Sequence, residues 1–209
     1  MFRSWLLCIL PSGFLLDSAG SAKPVQDPDQ LFAQARALNP ILKHKAKGLA
    51  LHCRGMFPAI AGPAKFLQWA QAAEDHELRN NIKWSKVKSA QRAHEKAARC
   101  YRCDCSLLVD LCRSCIVFCS VSDICDAITM MQDDPEIEII RVKNRLSDDY
   151  NSDSSCGYRD VGLNLRIRNA TTLRLEIDQH VAEIQLLLQD FAQVKSEEGH
   201  ARYCAFRTL

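Results

Sequence analysis

The sequence predicts an α+β fold in which helices flank a mixed β-sheet and a helical extension precedes it. The 209 residues are 47% hydrophobic and 25% charged, an ordinary globular composition that supports one domain with a sizeable core plus an appendage. From residue 84 onward, apolar residues recur at helical and strand spacings in turn. The predicted order is helix, strand, helix, strand, loop, strand, strand and helix, which suits a mixed sheet covered by helices.

The first 22 residues have the outline of a secretory signal peptide, with Arg3 near the start, an apolar run from Trp5 to Leu10, and small residues from Ser18 to Ala22. Pro11 to Gly13 interrupt the apolar run, so a disordered or helical extension is the alternative to a cleaved leader. We favour an intracellular location, cytoplasmic or organellar, over secretion. Since no apolar run reaches about 18 residues, we expect no integral membrane span.

Residues 23–81 are predicted to form a helical flank on a main domain at 82–209. Leu31 and Leu38 belong to a first helix that ends at Asn39-Pro40, because proline favours a helix boundary. A second helix begins at Pro40 and stops at Arg54-Gly55, and a third covers Ala64 to His76. These helices carry no chemical constellation, so we expect them to serve only packing.

Residues 84–102 are predicted to form a helix with three cations on one face, since Lys88, Arg92 and Lys96 are spaced four residues apart. Like charges at this spacing repel each other by about 0.2–0.5 kcal/mol per pair, and a bound polyphosphate would relieve that repulsion. A solvated basic face is the alternative. The net charge of +2 argues against strong non-specific binding of nucleic acid by the whole chain, so a basic site must be local.

Seven of the eleven cysteines lie between residues 100 and 125, where Cys100/Cys103 and Cys112/Cys115 form two CxxC pairs. Structural zinc and, with a leader, disulfides are two interpretations. The second pair falls in Val109–Phe118, a β-type run in which positions three apart face opposite sides, so we do not expect one strand to direct both thiolates to one zinc ion. We favour buried cysteines that act as small hydrophobes.

Two later segments combine an apolar face with a polar one. In Val161–Ile167 the odd positions are apolar, as expected for a strand that covers the core. The residues of opposite parity are Tyr158, Asp160, Asn164 and Arg166. In Val181–Leu186 the even positions face the core, so Glu183 and Gln185 point together to the other side.

The remaining segments complete the pattern. Val121–Met131 has helical spacing with a serine N-cap, and Ile137–Lys143 returns to a strand. Residues 144–156 form a polar loop. Leu173, Leu175 and Ile177 alternate with polar residues and predict another strand, with the polar break of a hairpin after it.

Short motifs in the second half of the chain resemble the RelA/SpoT-like alarmone synthetases, whose synthetase domain transfers pyrophosphate from ATP to GDP or GTP. In that family a basic strand-end motif precedes a Gly-Tyr turn, a Glu-x-Gln strand and a helix with Glu-x-Gly-x-Ala. The matching segments are Arg141-Val-Lys143, Gly157-Tyr158, Glu183-Ile-Gln185, Glu197-Glu-Gly199-His-Ala201 and Phe206-Arg207. The resemblance covers roughly residues 86–207.

The resemblance implies a nucleotidyltransferase-like fold and a set of roles. Asp110 resembles the strand aspartate that holds magnesium, and Glu183 resembles the second metal carboxylate and the catalytic residue. Tyr158 would stack on guanine. The residues implied in nucleotide binding are Lys86, Lys88, Lys96, Arg141, Lys143, Tyr158 and Gln185. The implied cofactor is Mg²⁺, and the implied ligands are ATP and a guanosine nucleotide.

Several positions depart from the family pattern. Gly162 stands where the turn usually continues to a histidine, Leu187-Leu188 replace Arg-Thr, Cys115 replaces an arginine, and Tyr203-Cys204 replace His-Trp. Three functional classes therefore stay open. They are a divergent ATP:GTP/GDP pyrophosphokinase, a non-catalytic nucleotide- or RNA-binding module that retains the fold, and a secreted disulfide-linked interaction protein.

Overall fold

The computed structural model describes residues 14–16, 22–155 and 157–194. Its strands are β1 Phe14–Leu16, β2 Ala22–Pro24, β3 Met56–Pro58, β4 Phe66–Gln68, β5 Arg113–Phe118, β6 Ile137–Asn144, β7 Val161–Ile167 and β8 Ala182–Leu188. Its helices are α1 Pro28–His52, α2 Trp69–Glu74, α3 His76–Asn80, α4 Ala90–Tyr101, α5 Val121–Asp133, α6 Ala170–Arg174 and α7 Gln189–Val194. Within this part of the chain, no helix is long and apolar enough to cross a membrane.

Six strands form one mixed sheet in the order β4-β3-β5-β8-β7-β6, and β1 pairs with β2 in a separate two-stranded sheet. In the larger sheet β5 and β8 are parallel, and the other pairs are antiparallel. The long helix α1 packs on β5 and β8, and α5 packs on β5, β6 and β8. This confirms the predicted mixed sheet flanked by helices.

Alternation along the strands decides which face is buried. Leu163, Leu165, Ile184 and Leu186 are fully buried in the core, whereas Glu183 and Gln185 are only partly buried on the opposite face. The predicted polarity of β7 and β8 is therefore confirmed. The helix at 121–133 is confirmed as well, with the Ser120 hydroxyl accepting a hydrogen bond from the backbone N–H of Asp123 at 3.1 Å.

The predicted helix boundary at Pro40 is wrong, because α1 runs through it. A proline inside a helix removes one backbone hydrogen bond. Leu38 and Leu42, on either side of it, are both fully buried, and their packing offsets that loss. The helix ends where predicted, since Arg54 has a φ of 56° and a Cβ on Gly55 would lie 2.7 Å from Ile116 Cγ2.

The helix predicted over Ala64–His76 begins only at Trp69, and the preceding residues form the edge strand β4. β4 pairs antiparallel with β3, with Leu67 opposite Phe57. Phe57, Trp69 and Trp84 then stack on one another with ring centroids 4.9–5.8 Å apart. Burial of this aromatic cluster favours the hairpin over a continuous helix.

The helix predicted over 84–102 is shorter, because Ser89 caps α4 and residues 83–89 belong to no helix or strand. Lys88 therefore lies outside the helix and does not share its face with Lys96 in the way the spacing predicted. Its backbone N–H donates instead to Leu111 O at 2.9 Å, which ties this segment to the turn before β5.

The strand predicted around Leu173 and Leu175 is wrong. These residues belong to the short helix α6 and its end, and they are 53% and 48% exposed. The reason is a capping box, in which the Asn169 side chain accepts from the backbone of Thr172 and the Thr172 hydroxyl accepts from the backbone of Asn169. The alternation of leucines here reflects no buried face. The strand that pairs antiparallel with β8 on this side is instead β7.

The described cysteines divide into three groups, and Cys105 and Cys115 form the half-buried one. Cys53 and Cys112 are buried as predicted, and burial raises the pKa of Cys112 to about 12. The expectation of burial is wrong for Cys100, Cys103, Cys119 and Cys125, which are exposed. Burial in the core thus explains only part of the cysteine content.

Candidate active site

Strand register gathers the predicted polar residues into two rows across the sheet. The first row is Arg141 on β6, Asn164 on β7, Glu183 on β8 and Arg113 on β5. The second row is Lys143, Gly162, Gln185 and Cys115 on the same strands. A single Ile140 bulge in β6 sets this register, since it shifts the pairing between Ile139 and Arg141. Both rows lie on the face opposite the core.

Asp110 lies in the turn before β5, three residues ahead of the strand's first residue. Its Oδ2 accepts from Lys88 Nζ at 2.5 Å and from Lys96 Nζ at 2.9 Å. Burial by itself would raise the pKa of Asp110, but the two lysines outweigh it and lower that pKa to about 2. Lys88 and Lys96 thus converge on a carboxylate that stays ionised at neutral pH.

Glu183 lies near the start of β8, beside Asp110. Burial raises the pKa of Glu183, and the negative charge of Asp110 raises it further, while Lys96 opposes the shift. Gln185 Nε2 donates to Glu183 Oε2 at 3.2 Å and so helps to orient the carboxylate. The site therefore contains two carboxylates whose pKa values shift in opposite directions. Asp110 is kept ionised, and Glu183 binds its proton more tightly than an ordinary glutamate does.

The basic strand-end motif is organised by Asn164, which is buried. Arg141 donates through Nε at 2.9 Å and through Nη2 at 2.6 Å to Asn164 Oδ1, and Asn164 Nδ2 donates to Val109 O at 3.2 Å. Burial lowers the pKa of Lys143, and the charges of Arg141 and Arg145 lower it further. Crowded, partly desolvated cations of this kind favour a polyanionic ligand.

Tyr158 is fixed through its hydroxyl, which donates to Asp160 Oδ2 at 2.8 Å. Burial raises the pKa of Tyr158, and Asp160 adds to the rise, so the hydroxyl stays protonated. Asp160 itself is fully buried and forms an ion pair with Arg145. The preceding Gly157 has a φ of 78°, a conformation that favours glycine and makes the turn.

The side chain of Arg159 forms hydrogen bonds to the backbone of the polar loop before this turn. Its Nη1 donates to Arg145 O at 3.1 Å and to Ser147 O at 3.0 Å. A guanidinium with several donors can satisfy backbone carbonyls that a loop leaves without partners. The loop therefore stands in a defined position beside the site.

The sequence assigned roles to many of these residues but not to others, among them Arg113. Asp160 and Asn164 were visible as members of the polar parity of β7, without an assigned role. Gly162 was noted only as a departure from the family pattern. Arg145 gave no signal, because it follows β6 in a loop where no periodicity applies.

Some predicted residues do not join the site. Lys86 is exposed, and within the described residues it has no ion pair. The segments Glu197-Glu-Gly199-His-Ala201 and Phe206-Arg207, together with Tyr203-Cys204, lie outside the described residues.

The donor set suits a divalent cation that binds with its substrate. Asp110 Oδ1 is buried and has no hydrogen-bond partner within the described residues, which leaves one carboxylate oxygen for a ligand. No cluster of three or more His, Cys, Asp or Glu side chains occurs in residues 22–155 and 157–194 that could hold a metal by itself. Mg²⁺ is usually held by one or two carboxylates plus substrate phosphates, so Asp110 and Glu183 fit it.

Comparison with solved structures shows the fold. The chain superimposes on small alarmone synthetase 2 from Bacillus subtilis with a TM-score of 0.56 and 18% identity, covering 87% of this chain and 82% of that one. Small alarmone synthetase 1 from Bacillus subtilis, solved with its product pppGpp, gives a TM-score of 0.56 and 16% identity, covering 84% and 80%.

A GTP pyrophosphokinase family protein from Streptococcus pneumoniae is a looser likeness, at a TM-score of 0.43 and 18% identity. The match covers 58% of this chain and 57% of that protein's length. No protein-family model matches the sequence, and no curated protein matches it. The shared architecture is therefore that of the small alarmone synthetases, a mixed sheet flanked by helices with an N-terminal helix.

Proposed function

We propose that this protein is a divergent nucleotide pyrophosphokinase that transfers pyrophosphate from ATP to GDP or GTP. One observation carries the proposal. Asp110 and Glu183 come together at the starts of the two parallel central strands, on the polar face of the sheet, and cations surround them. The fold shared with the small alarmone synthetases adds support.

In this proposal Glu183 is the general base. It takes the proton of the acceptor hydroxyl, and the oxygen of that hydroxyl bonds to the β-phosphorus of ATP. At the same time the bond between the β-phosphorus and the oxygen that bridges it to the α-phosphorus breaks. AMP leaves with that oxygen. A carboxylate with a raised pKa holds a proton better at neutral pH than an ordinary one, which suits this role.

Asp110 and Glu183 would hold Mg²⁺. When bound, the ion offsets negative charge on the ATP phosphates and orients them for displacement. Lys88 and Lys96 now contact Asp110 and lie where they can also bind donor phosphates. Such positioning of charge is the main contribution that proteins make to phosphoryl transfer.

On the acceptor side, Arg141 and Lys143 would bind the phosphates of the guanosine nucleotide. Tyr158 would stack on the base, with its ring fixed by the hydrogen bond to Asp160. The solved relative that contains pppGpp shows that this fold accommodates a guanosine polyphosphate in that protein. We extend such binding to the present chain.

A non-catalytic binder that keeps the fold is the competing class, and the carboxylates argue against it. A pure binder of polyphosphates has no use for two buried or half-buried carboxylates in the middle of its basic site, because they repel the ligand. Their retention therefore favours catalysis.

A variant panel tests the proposal. Purified protein is incubated with Mg²⁺, labelled ATP and GDP or GTP, and the rate of AMP formation is compared for wild type, Glu183→Gln, Asp110→Asn and the control Glu95→Gln, whose side chain is exposed on α4. We expect Glu183→Gln and Asp110→Asn each to lower the rate by at least about 100-fold and the control to match wild type. Equal rates in all four proteins, or no product from the wild type, would overturn the assignment.

A further inference from the structure

The position of Arg145 suggests a role that the basic motifs do not assign. This residue follows β6 in the loop, and two contacts hold it. Its backbone N–H donates to Asp160 O at 2.8 Å, and its Nη1 pairs with Asp160 Oδ1. The partner carboxylate is fully buried and its second oxygen is occupied by Tyr158, so Asp160 cannot turn away.

The guanidinium of Arg145 keeps unused donors. Asp160 is the only hydrogen-bond acceptor for its side chain within the described residues, although a guanidinium has five N–H donors. The side chain is 24% exposed, so those donors remain accessible. Arginine with donors in a fixed plane is well suited to bind phosphate oxygens in pairs.

The guanidinium of Arg145 lies near Gly162. A Cβ at this position would be 3.7 Å from Arg145 Nη1 and 3.7 Å from Glu183 Oε1. The cation and the carboxylate therefore flank the same point above the glycine and are no farther apart than twice that distance. A larger side chain at position 162 would occupy the space between them.

With Glu183 as the general base of the proposed function, the transferred diphosphate lies in this same region. If Glu183 accepts the proton of the acceptor hydroxyl, that oxygen lies within about 3 Å of the carboxylate, and the attacked phosphorus lies about 3–3.5 Å beyond it. Arg145 lies at a comparable range from Glu183.

We propose that Arg145, oriented by Asp160 and given room by Gly162, binds the diphosphate that is transferred from ATP. This inference rests on the proposed function, since it places the donor phosphates by the role of Glu183. It assigns Arg145 as a binding residue and Asp160 as a positioning residue. It also gives Gly162 a positive role, because the glycine creates the space in which the donor diphosphate meets its cation.

Binding of two probes tests the assignment. The first is α,β-methylene-ATP, which carries the β- and γ-phosphates but cannot release them from AMP, and the second is AMP, which lacks them. Dissociation constants are measured with Mg²⁺ by calorimetry for the full chain. We expect Arg145→Gln to weaken binding of the analogue by about tenfold or more and to leave AMP binding within about twofold of wild type.

Three further variants separate binding from folding. Arg145→Gln leaves Asp160 buried without its cation, so the double variant R145Q/D160N is measured beside it, and thermal melts confirm that each is folded. Gly162→Leu fills the space between Arg145 Nη1 and Glu183 Oε1 and should also weaken binding of the analogue selectively. Arg174→Gln, on an exposed arginine of α6, controls for loss of charge.

The outcomes are distinguishable. If Arg145→Gln and the double variant bind the analogue as tightly as Arg174→Gln does, or lose AMP equally, the role of Arg145 is wrong. If the wild type binds the analogue with the expected pattern but forms no AMP from ATP, the proposed function fails while the binding assignment holds. If the wild type binds neither probe, both are wrong.

Discussion

Two neighbouring carboxylates in this protein have opposite protonation tendencies. Burial works against ionisation at both, but Lys88 and Lys96 bond Asp110 directly and hold its pKa at about 2. Among the described residues Glu183 has no such pair, so burial, with added repulsion from Asp110, raises its pKa. Pairs of acids whose environments separate their pKa values mark acid and base roles in enzymes.

The raised pKa of Glu183 makes a prediction about stability. Because the folded chain keeps this proton to a higher pH than the unfolded chain does, the free energy of unfolding falls as pH rises from about 4.5 through the folded pKa. Glu183→Gln removes that loss, so we expect it to melt a few degrees above wild type at pH 7. The gain should shrink as pH falls toward 4.5.

Thermal melts of wild type, Glu183→Gln and Glu95→Gln between about pH 4 and 8 check this prediction. The exposed Glu95 is the control and should change little. A Glu183→Gln protein that melts below wild type at pH 7 would show that the carboxylate is stabilised where it lies.

Asp160 illustrates a buried charge that the site requires. Asp160→Ala would leave Arg145 without its anion and Tyr158 without its acceptor. Removing one partner of a buried pair costs about 3–5 kcal/mol, and the partial exposure of Arg145 favours the lower end. Urea denaturation should show this loss, whereas Asp133→Ala, at an exposed aspartate, should stay within about 0.5 kcal/mol of wild type. Equal stability of the two variants would contradict the ion pair.

At the scale of elements, long strands and capped helices were predictable. The alternation in β6, β7 and β8 is long enough to predict both the strand and its polar face. Ser120 predicted the start of α5. The pairing of Glu183 with Gln185 on one face followed from parity alone. The residues that neighbour them on adjacent strands could not be predicted in this way, because the register between strands is a tertiary property.

The predictions of secondary structure that were wrong, and the contact that was not predicted, have local physical causes. β4 is only three residues long, too short for its period to be recognised beside the helical spacing of Phe66 and Ala70. Pro40 interrupts one hydrogen bond in a helix that tertiary packing holds on both sides. The contact between Arg145 and Asp160 joins a loop to a strand start, and no sequence spacing encodes it.

The end of α1 allows a matched test of the packing. A methyl group at Gly55 would meet Ile116 Cγ2 at 2.7 Å and Ala50 Cα at 2.8 Å, whereas one at Gly48, inside the helix, would meet nothing within 4 Å. We expect Gly55→Ala to destabilise the fold by about 1–3 kcal/mol. Gly48→Ala should stabilise it by about 0.5–1 kcal/mol, because glycine is a poor helix former.

Urea denaturation of the two variants measures both effects. We expect the free energy of unfolding to fall in Gly55→Ala and to rise in Gly48→Ala. If Gly55→Ala were neutral, the close approach of α1 to β5 at this point would be wrong.

At the scale of the whole molecule, topology creates the site. The parallel pairing of β5 and β8 aligns Arg113 with Glu183, so the turn that carries Asp110 and the start of β8 meet at one edge. Helices α1 and α5 cover the sheet, while α4 brings Lys96 to the polar face. A chain with a net charge of only +2 thus places several of its cations around two carboxylates.

The fate of the phosphates of ATP tests the central claim most directly. The protein is incubated with Mg²⁺, GTP and labelled ATP, with the label at the γ-phosphate in one reaction and at the β-phosphate in another. Pyrophosphate transfer predicts that both labels move to the guanosine product and that AMP forms in an amount equal to that product. Transfer of the γ label alone with formation of ADP, or retention of both labels on the adenosine nucleotide, would contradict the account.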